Sequence, residues 1–129
     1  IDNAKCLKDI RLNIQSIISD LIKAYSYENQ NIKYLINQVC SFKGNINVRN
    51  LSQKSGLSER TIERHFKNSL GISPKKFSRI VRFHSAYNEL KIKNCTDLAA
   101  FSLEAGYYDQ SHFNREFKEF SGMTPLQVK

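Results

Sequence analysis

The sequence predicts an all-α fold, because three features of its 129 residues favour helices over strands. Only two prolines and five glycines interrupt the chain, and strict alternation of apolar and polar residues is rare. Apolar residues instead recur at intervals of three and four. Short polar residues and glycines stand where these apolar runs begin and end, as helix caps require.

Residues 4–26 predict an N-terminal amphipathic helix. Its apolar residues form an a/d-type seam of under three heptads, which is short for an independent coiled coil: Leu7, Ile10, Ile14, Ile17, Leu21 and Ala24, widened by Ile18, Ile22 and Tyr25. Two interpretations stay open, packing on a neighbouring part of the chain or a connecting helix that forms a homodimer. The chain begins at Ile1 and its only methionine is Met123, so we expect a fragment of a longer protein.

Caps and glycines place the other helices. The predicted helices are 31–42, 48–55, 59–69, 74–93, 97–105, 110–121 and a last one that starts at Thr124-Pro125. Asn47, Ser58 and Ser73 can cap three of them, and a proline suits the first helical position. Glycines stand at the ends of four: Gly56, Gly71, Gly106 and Gly122.

A motif in the middle of the chain recurs about fifty residues later. Its six positions and their repeats are Gly56, Ile62, Arg64, Phe66, Gly71 and Pro74, then Gly106, Phe113, Arg115, Phe117, Gly122 and Pro125. The offset is 51 residues except at the first glycine, where it is 50, so the second copy holds one extra residue within Tyr107-Tyr108-Asp109. Each copy has the pattern of a helix-turn-helix.

The second helix of each copy has an apolar and a polar face. The apolar faces carry Ile62, Phe66 and Leu70, then Phe113, Phe117 and Phe120. The polar faces carry Arg60, Arg64 and Lys67, then Ser111, Arg115 and Lys118. Such side chains match base edges in the major groove, and a helix start favours a phosphate. The same stripe in two helices indicates DNA binding rather than a merely solvated face.

The formal net charge of +8 is concentrated in the middle of the chain. Residues 46–93 contain eleven Lys and Arg against three Glu, whereas residues 94–129 contain three against five Asp and Glu. A basic balance favours a polyanionic partner such as nucleic acid. The first copy and the helix after it should therefore supply most of the affinity.

Other functional classes find little support in the sequence. Three widely spaced cysteines (Cys6, Cys40 and Cys95) and three scattered histidines predict no metal site and no disulfide framework. We find neither a phosphate-binding glycine loop nor a nucleophile with a base partner, so we expect no enzyme activity and no cofactor. Without a signal peptide or a membrane-length apolar run, the chain is predicted to be cytoplasmic.

Longer motifs carry a resemblance to a known family. They are Leu51-Ser-Gln-Lys-Ser-Gly56, Ser58-Glu-Arg-Thr-Ile62-Glu-Arg64-His-Phe66-Lys, Gly71-Ile-Ser-Pro74, the Arg82/Ala86 pair, Ala105-Gly-Tyr-Tyr-Asp-Gln110-Ser-His-Phe113-Asn-Arg115-Glu-Phe117-Lys and Gly122-Met-Thr-Pro125. Residues 46–128 thereby resemble the DNA-binding domain of the AraC/XylS family of bacterial transcription regulators. Helix 31–42 resembles the helix that opens this domain.

The resemblance implies a domain over 31–129, with helix-turn-helix subdomains at about 31–73 and 94–129 joined by a long linker helix at 74–93. Residues 1–30 lie outside the resemblance and are predicted to contain the connecting or dimerising helix. Recognition helices 59–69 and 110–121 would read adjacent major-groove segments about 10 bp apart. The implied base contacts are Arg60, Thr61, Glu63, Arg64, Gln110, Ser111, His112, Asn114 and Arg115. The phosphate contacts are Ser58, Lys67, Lys75, Lys76, Arg79 and Lys118.

Other partners and functions stay open at this point. The net acidic second subdomain could favour RNA polymerase over DNA, and an N-terminal sensing or dimerising domain is expected outside the chain. One alternative is the DNA-binding part of an alkylation-repair enzyme. Such enzymes need a cysteine-rich metal site, and this sequence has no cysteine cluster, so the catalytic region would be absent from it. Another is an interaction module without a DNA role.

Overall fold

The computed structural model describes residues 13–20 and 30–128, and every regular element in these ranges is a helix. The helices are α1 (13–20), α2 (Gln30–Ser41), α3 (Val48–Ser55), α4 (Glu59–Leu70), α5 (Pro74–Ile92), α6 (Leu98–Glu104), α7 (Gln110–Ser121) and α8 (Pro125–Val128). The prediction of an all-α fold is confirmed for this part of the chain. None of the described helices is long and apolar enough to cross a membrane.

Short polar side chains begin most of these helices. Asn47 and Ser58 cap α3 and α4, and each side chain accepts a hydrogen bond from the backbone N–H three residues later. The Ser73 hydroxyl accepts the equivalent bond at the start of α5. Asp97 and Asp109 cap α6 and α7 in the same way. Each cap satisfies a backbone donor that the first helical turn leaves unpaired.

Glycines end α4 and α7 in equivalent positions. Gly71 and Gly122 have φ of +73° and +74°, and each donates its N–H to the carbonyl four residues earlier. A side chain is disfavoured at such angles, so glycine sets the end of the helix. Helix α6 differs from the prediction, because its cap residue is Ala105 in a right-handed conformation and Gly106 follows outside it. The Tyr107 N–H closes this turn on the Ser102 carbonyl.

The described residues form two compact units, and the first contains residues 16–20 and 30–81. Its core joins α2, α3, α4 and the start of α5 through Ile32, Leu35, Ile36, Val39, Ile46, Leu51, Ile62, Phe66, Phe77 and Val81. The rings of Phe66 and Phe77 lie 5.6 Å apart. Burial of the apolar face of α4 leaves its opposite face to solvent.

The second unit contains residues 82–128 and residues 13–15 of the described chain. Its core is largely aromatic and consists of Phe83, Ala86, Tyr87, Leu90, Phe101, Tyr107, Phe113, Phe117 and Met123. The ring of Phe117 lies 5.2 Å from that of Phe83 and 5.5 Å from that of Phe113. Edge-to-face contacts of this kind add to the hydrophobic gain and fix the orientation of α7.

The boundary between the units falls between Val81 and Arg82, inside α5. Phe77 and Val81 belong to the first core, and Phe83 and later side chains of α5 belong to the second. The helix predicted as a linker thus supplies side chains to both cores. The limits of the subdomains, 31–73 and 94–129, and of the segment 1–30 stay predictions.

Helix α1 covers part of the predicted N-terminal amphipathic helix. Ile14 packs against the core of the second unit and Ile18 against that of the first. Ile17 is 56% exposed, so the packing interpretation applies to Ile14 and Ile18 but not to Ile17. The interpretation as a dimerising helix stays open. The other positions of the predicted seam, Leu7, Ile10, Leu21 and Ala24, lie outside the described residues.

Candidate nucleic-acid interface

Helix α4 presents a charged face opposite its buried one. Ile62 and Phe66 are completely buried, whereas Arg60, Glu63, Arg64 and Lys67 are all exposed. Positions 60, 64 and 67 follow helical spacing and lie on one side of the helix. The predicted base and phosphate contacts of this helix therefore stand on a surface that a ligand can reach, with the acidic Glu63 among the basic groups.

At the start of α4, two of the predicted contact residues, Ser58 and Thr61, are hydrogen-bonded to each other. The Ser58 hydroxyl accepts a hydrogen bond from the Thr61 N–H at 3.1 Å and donates one to the Thr61 Oγ1 at 2.8 Å. Ser58 is exposed and Thr61 is half-buried. Their hydroxyl groups consequently have fewer free hydrogen-bonding positions than the sequence implied.

The start of α5 adds further positive charge to the first unit. Lys75 and Lys76 are exposed in its first turn, and Arg79 is half-buried. Residues 16–81 contain eleven Lys and Arg against four Asp and Glu, whereas residues 82–129 contain six of each. The boundary inside α5 therefore assigns all of the net positive charge of these two sections to the first unit. This asymmetry has the same direction as the one predicted from the sequence, but the section 82–129 is neutral and not net acidic.

Helix α7 presents the second candidate face. Ser111, Arg115 and Lys118 are exposed, in register with the stripe of α4. Gln110 is half-buried at the first position of the helix, and the preceding Asp109 carboxylate accepts a hydrogen bond from the His112 N–H at 2.7 Å. The polar stripe predicted for this helix thus lies at the surface of the second unit.

Two predicted base contacts of α7 are partly enclosed by the fold. The His112 Nδ1 accepts a hydrogen bond from the Tyr108 N–H at 3.3 Å, and its ring lies edge-on to Tyr107 with centroids 5.2 Å apart. Asn114 is half-buried, and its Oδ1 is buried with no hydrogen-bond partner among the described residues. Reaching a base edge would require more rearrangement from these side chains than from Ser111 or Arg115.

A buried ion pair holds α7 to the middle of α5. The Arg82 guanidinium donates three hydrogen bonds to Glu116: Nη2 to Oε1 at 2.9 Å, and both Nη2 and Nε to Oε2 at 3.2 Å. The guanidinium also lies over the Tyr107 ring, 4.8 Å from its centroid. The two side chains are 16% and 2% exposed. This bidentate pair sets the position of α7 within the second unit.

The ion pair changes the ionisation of its members. Burial lowers the pKa of Arg82, but the hydrogen bonds that it donates to Glu116 and the negative charge of that carboxylate outweigh burial, so the pKa is raised overall. Burial raises the pKa of Tyr107, and the adjacent Glu116 carboxylate raises it further. Sequence reasoning missed Glu116, although an acid among the phenylalanines of an apolar helix face indicates a buried partner.

The described residues contain no group of three or more His, Cys, Asp and Glu that could hold a metal ion. The two cysteines in the described ranges, Cys40 and Cys95, are both free thiols. Burial raises the pKa of the Cys40 thiol, because it disfavours the charged thiolate. Cys6 lies outside the described residues.

Comparisons with known proteins agree with this architecture. A family model described as a helix-turn-helix domain matches residues 51–129. An uncharacterized HTH-type transcriptional regulator of Haemophilus influenzae is 30% identical over 82 residues, which are 64% of this chain and 27% of that protein. One from Staphylococcus aureus is 31% identical over 101 residues, covering 73% of this chain and 13% of the relative. The chain therefore spans only a small part of these longer proteins.

Two solved structures share the fold. A transcriptional regulator from Chromobacterium violaceum with an AraC-type DNA-binding domain superposes with a TM-score of 0.65 at 22% identity, covering 78% of this chain and 93% of that one. A probable AraC family transcriptional regulator from Rhodopseudomonas palustris gives a TM-score of 0.61 at 27% identity, covering 74% and 94%.

Proposed function

The chain belongs to the AraC-type family of helix-turn-helix transcription regulators, as a DNA-binding domain, and we propose that α4 and α7 are its recognition helices. One observation carries the proposal: in both copies of the motif, a capped helix buries its apolar face and exposes basic and polar side chains opposite. A helix of this kind can enter the major groove and contact base edges. We place this activity in the bacterial cytoplasm, where the chromosome lies.

Helix α4 provides the main contact in this proposal. Arg60 and Arg64 are exposed and can donate paired hydrogen bonds to guanine, while Glu63 can accept one from a cytosine amino group. Thr61 is the fourth base contact of this helix. Its hydroxyl already accepts a hydrogen bond from Ser58, so only the rest of its half-buried side chain would contact a base. Phosphates would be held by a group of mainly basic residues around the helix: Ser58, Lys67, Lys75, Lys76 and Arg79.

Helix α7 adjusts specificity in this proposal. Ser111 and Arg115 are exposed, and Gln110 lies at the first helical position, where side chains of a recognition helix reach base edges. Lys118 would contact a phosphate. His112 and Asn114 contribute less directly, because both are half-buried. With equal numbers of acidic and basic residues over 82–129, the second unit has little general attraction for DNA.

In vitro binding-site selection with the purified chain tests the proposal. We expect a bipartite site, with affinity falling as salt rises because phosphate contacts release counterions. Arg64→Ala should cost about 1–3 kcal/mol and relax specificity at one position. Lys33→Ala, which removes a charge from α2 outside both motifs, is the matched control and should change little. A chain that selects no site, or binds without salt dependence, would refute the proposal.

Two further partners belong to the proposal. The equal numbers of acidic and basic residues over 82–129 support a contact with RNA polymerase beside DNA, and the exposed Ile17 supports self-association through the N-terminal helix. Sedimentation tests both: the chain alone should show a concentration-dependent dimer, and it should co-sediment with RNA polymerase. A monomer at all concentrations contradicts the dimer, and independent sedimentation contradicts the contact with polymerase.

A further inference from the structure

The extra residue of the second helix-turn-helix is Tyr108. In the first copy, the half-buried Leu57 lies directly before the cap residue Ser58. In the second copy, Tyr107 takes the buried position at 3% exposure, and Tyr108 is inserted between it and the cap residue Asp109. Tyr108 is 86% exposed. The two motifs therefore differ where their recognition helices begin.

The backbone of Tyr108 is held in place although its ring is exposed. Its N–H donates a hydrogen bond to the His112 Nδ1, one turn into α7, and the next residue caps the helix. A backbone N–H can only donate, so Nδ1 accepts and a neutral His112 carries its proton on Nε2. The exposed Tyr108 ring is thus attached to a fixed backbone position beside the start of α7.

This place matters because of how a recognition helix binds. Its N-terminal residues are those that reach base edges in the major groove. The unit that carries Tyr108 has six basic and six acidic residues over 82–129, so general attraction to phosphates gives it little affinity. An apolar contact would supply affinity that this unit does not gain from charge. DNA offers apolar groups in thymine methyls and deoxyribose carbons.

We propose that Tyr108 is a DNA-contacting residue that packs its ring against these apolar groups where α7 enters the groove. The inference rests on the proposed function of α7 and deepens it, because it gives the second helix a contact that the first one lacks. Since the contact is uncharged, its contribution to affinity should not depend on salt, unlike that of Lys67 on α4.

The first experiment measures affinity for the selected site at two salt concentrations. Tyr108→Ala should weaken binding about tenfold at both, the factor that burying roughly 55 Å² of apolar surface supplies. Tyr108→Phe keeps the ring and should bind like the unchanged chain. Leu126→Ala removes an exposed apolar side chain (67% exposed) from α8, beyond the opposite end of α7, and should have no effect. Thermal unfolding checks that each variant is folded.

The second experiment identifies the DNA group by replacing each thymine of the α7 half-site with uracil, which lacks the methyl. A methyl contact predicts about fourfold weaker binding at one position for the unchanged chain and no loss at that position for Tyr108→Ala. If the ring contacts deoxyribose, Tyr108→Ala should still bind more weakly, but each uracil replacement should change the affinity of this variant and of the unchanged chain by the same factor. Unchanged affinity of Tyr108→Ala, or weakening by Tyr108→Phe, overturns the inference. If the unchanged chain binds no DNA, the proposed function itself fails.

Discussion

Glu116→Ala is the substitution that tests the architecture of the second unit most directly. The Glu116 side chain is 2% exposed and accepts three hydrogen bonds, at 2.9 to 3.2 Å, from Arg82, whose side chain is 16% exposed. Truncation to alanine leaves Arg82 buried beside Tyr107 with its main counter-charge removed. A buried charge without a partner destabilises a protein far more than the loss of a surface ion pair does.

The expected loss is about 3 kcal/mol. Two unit charges about 4 Å apart attract by about 4 kcal/mol at an effective dielectric constant of about 20, and removing one partner of a buried pair costs roughly 3–5 kcal/mol. The remaining exposure of Arg82 lets water compensate in part, which places the estimate at the lower end. A small domain has only about 5–15 kcal/mol of stability, so this loss is a large fraction of the total.

The assay is hydrogen exchange of backbone amides, because the chain has two units and need not unfold in one step. Protection of α7 amides should fall in Glu116→Ala, while that of α4 amides in the first unit should stay unchanged. Glu104→Ala, which removes an exposed carboxylate from α6, is the control and should change protection by less than about 0.5 kcal/mol.

A double variant separates charge from packing. Arg82→Met combined with Glu116→Leu removes both charges and keeps most of the volume, so it should recover most of the lost protection. The reasoning is refuted if the free energy of opening of the α7 amides in Glu116→Ala lies within about 0.5 kcal/mol of its value in the unchanged chain. It is also refuted if the double variant is as unstable as the single one, because the loss would then come from packing.

Three further predictions concern ionisation, capping and phosphate contacts. Burial and the Glu116 carboxylate raise the pKa of Tyr107 above its ordinary value of 10.0, so the unfolded chain releases this proton first as pH rises. The stability of the second unit should therefore fall above pH 10, and Tyr107→Phe should reduce that fall in denaturant titrations; an equal fall in both contradicts it. Ser58→Ala should lower the unfolding free energy by about 1 kcal/mol through loss of the α4 cap, with Ser111→Ala as a neutral control. Lys75→Ala and Lys76→Ala should each reduce the slope of log affinity against log salt by about 1 at every DNA sequence, and an unchanged slope would argue against phosphate contacts there.

Local chemistry made most helix limits predictable. The predicted helices 48–55 and 110–121 coincide with α3 and α7, because a cap residue and a glycine with positive φ act within one turn of the helix ends. Where that chemistry is weaker the prediction shifts. Helix α6 begins and ends one residue inside its predicted range, because Asp97 is its N-cap and Ala105 its C-cap, and cap residues flank the helix.

The candidate surface was predictable to the extent that it depends on helical periodicity. Alternation of apolar and polar residues every three or four positions placed Phe66 inside and Arg64 outside, as observed. Periodicity could not show that His112 and Asn114 are partly enclosed, since that depends on how the turn before α7 folds back. Nor could it show which of the two adjacent tyrosines is buried.

The sequence by itself determined the all-helical class, the duplicated motif, the charged faces and the family, because each follows from residues close together along the chain or from the spacing of a repeat. Only the tertiary structure decided which core each half of α5 joins, that Glu116 pairs with Arg82 across 34 residues, and that Tyr108 is left exposed. These features depend on contacts between distant segments, whose geometry is set by packing and not by the local pattern of residues.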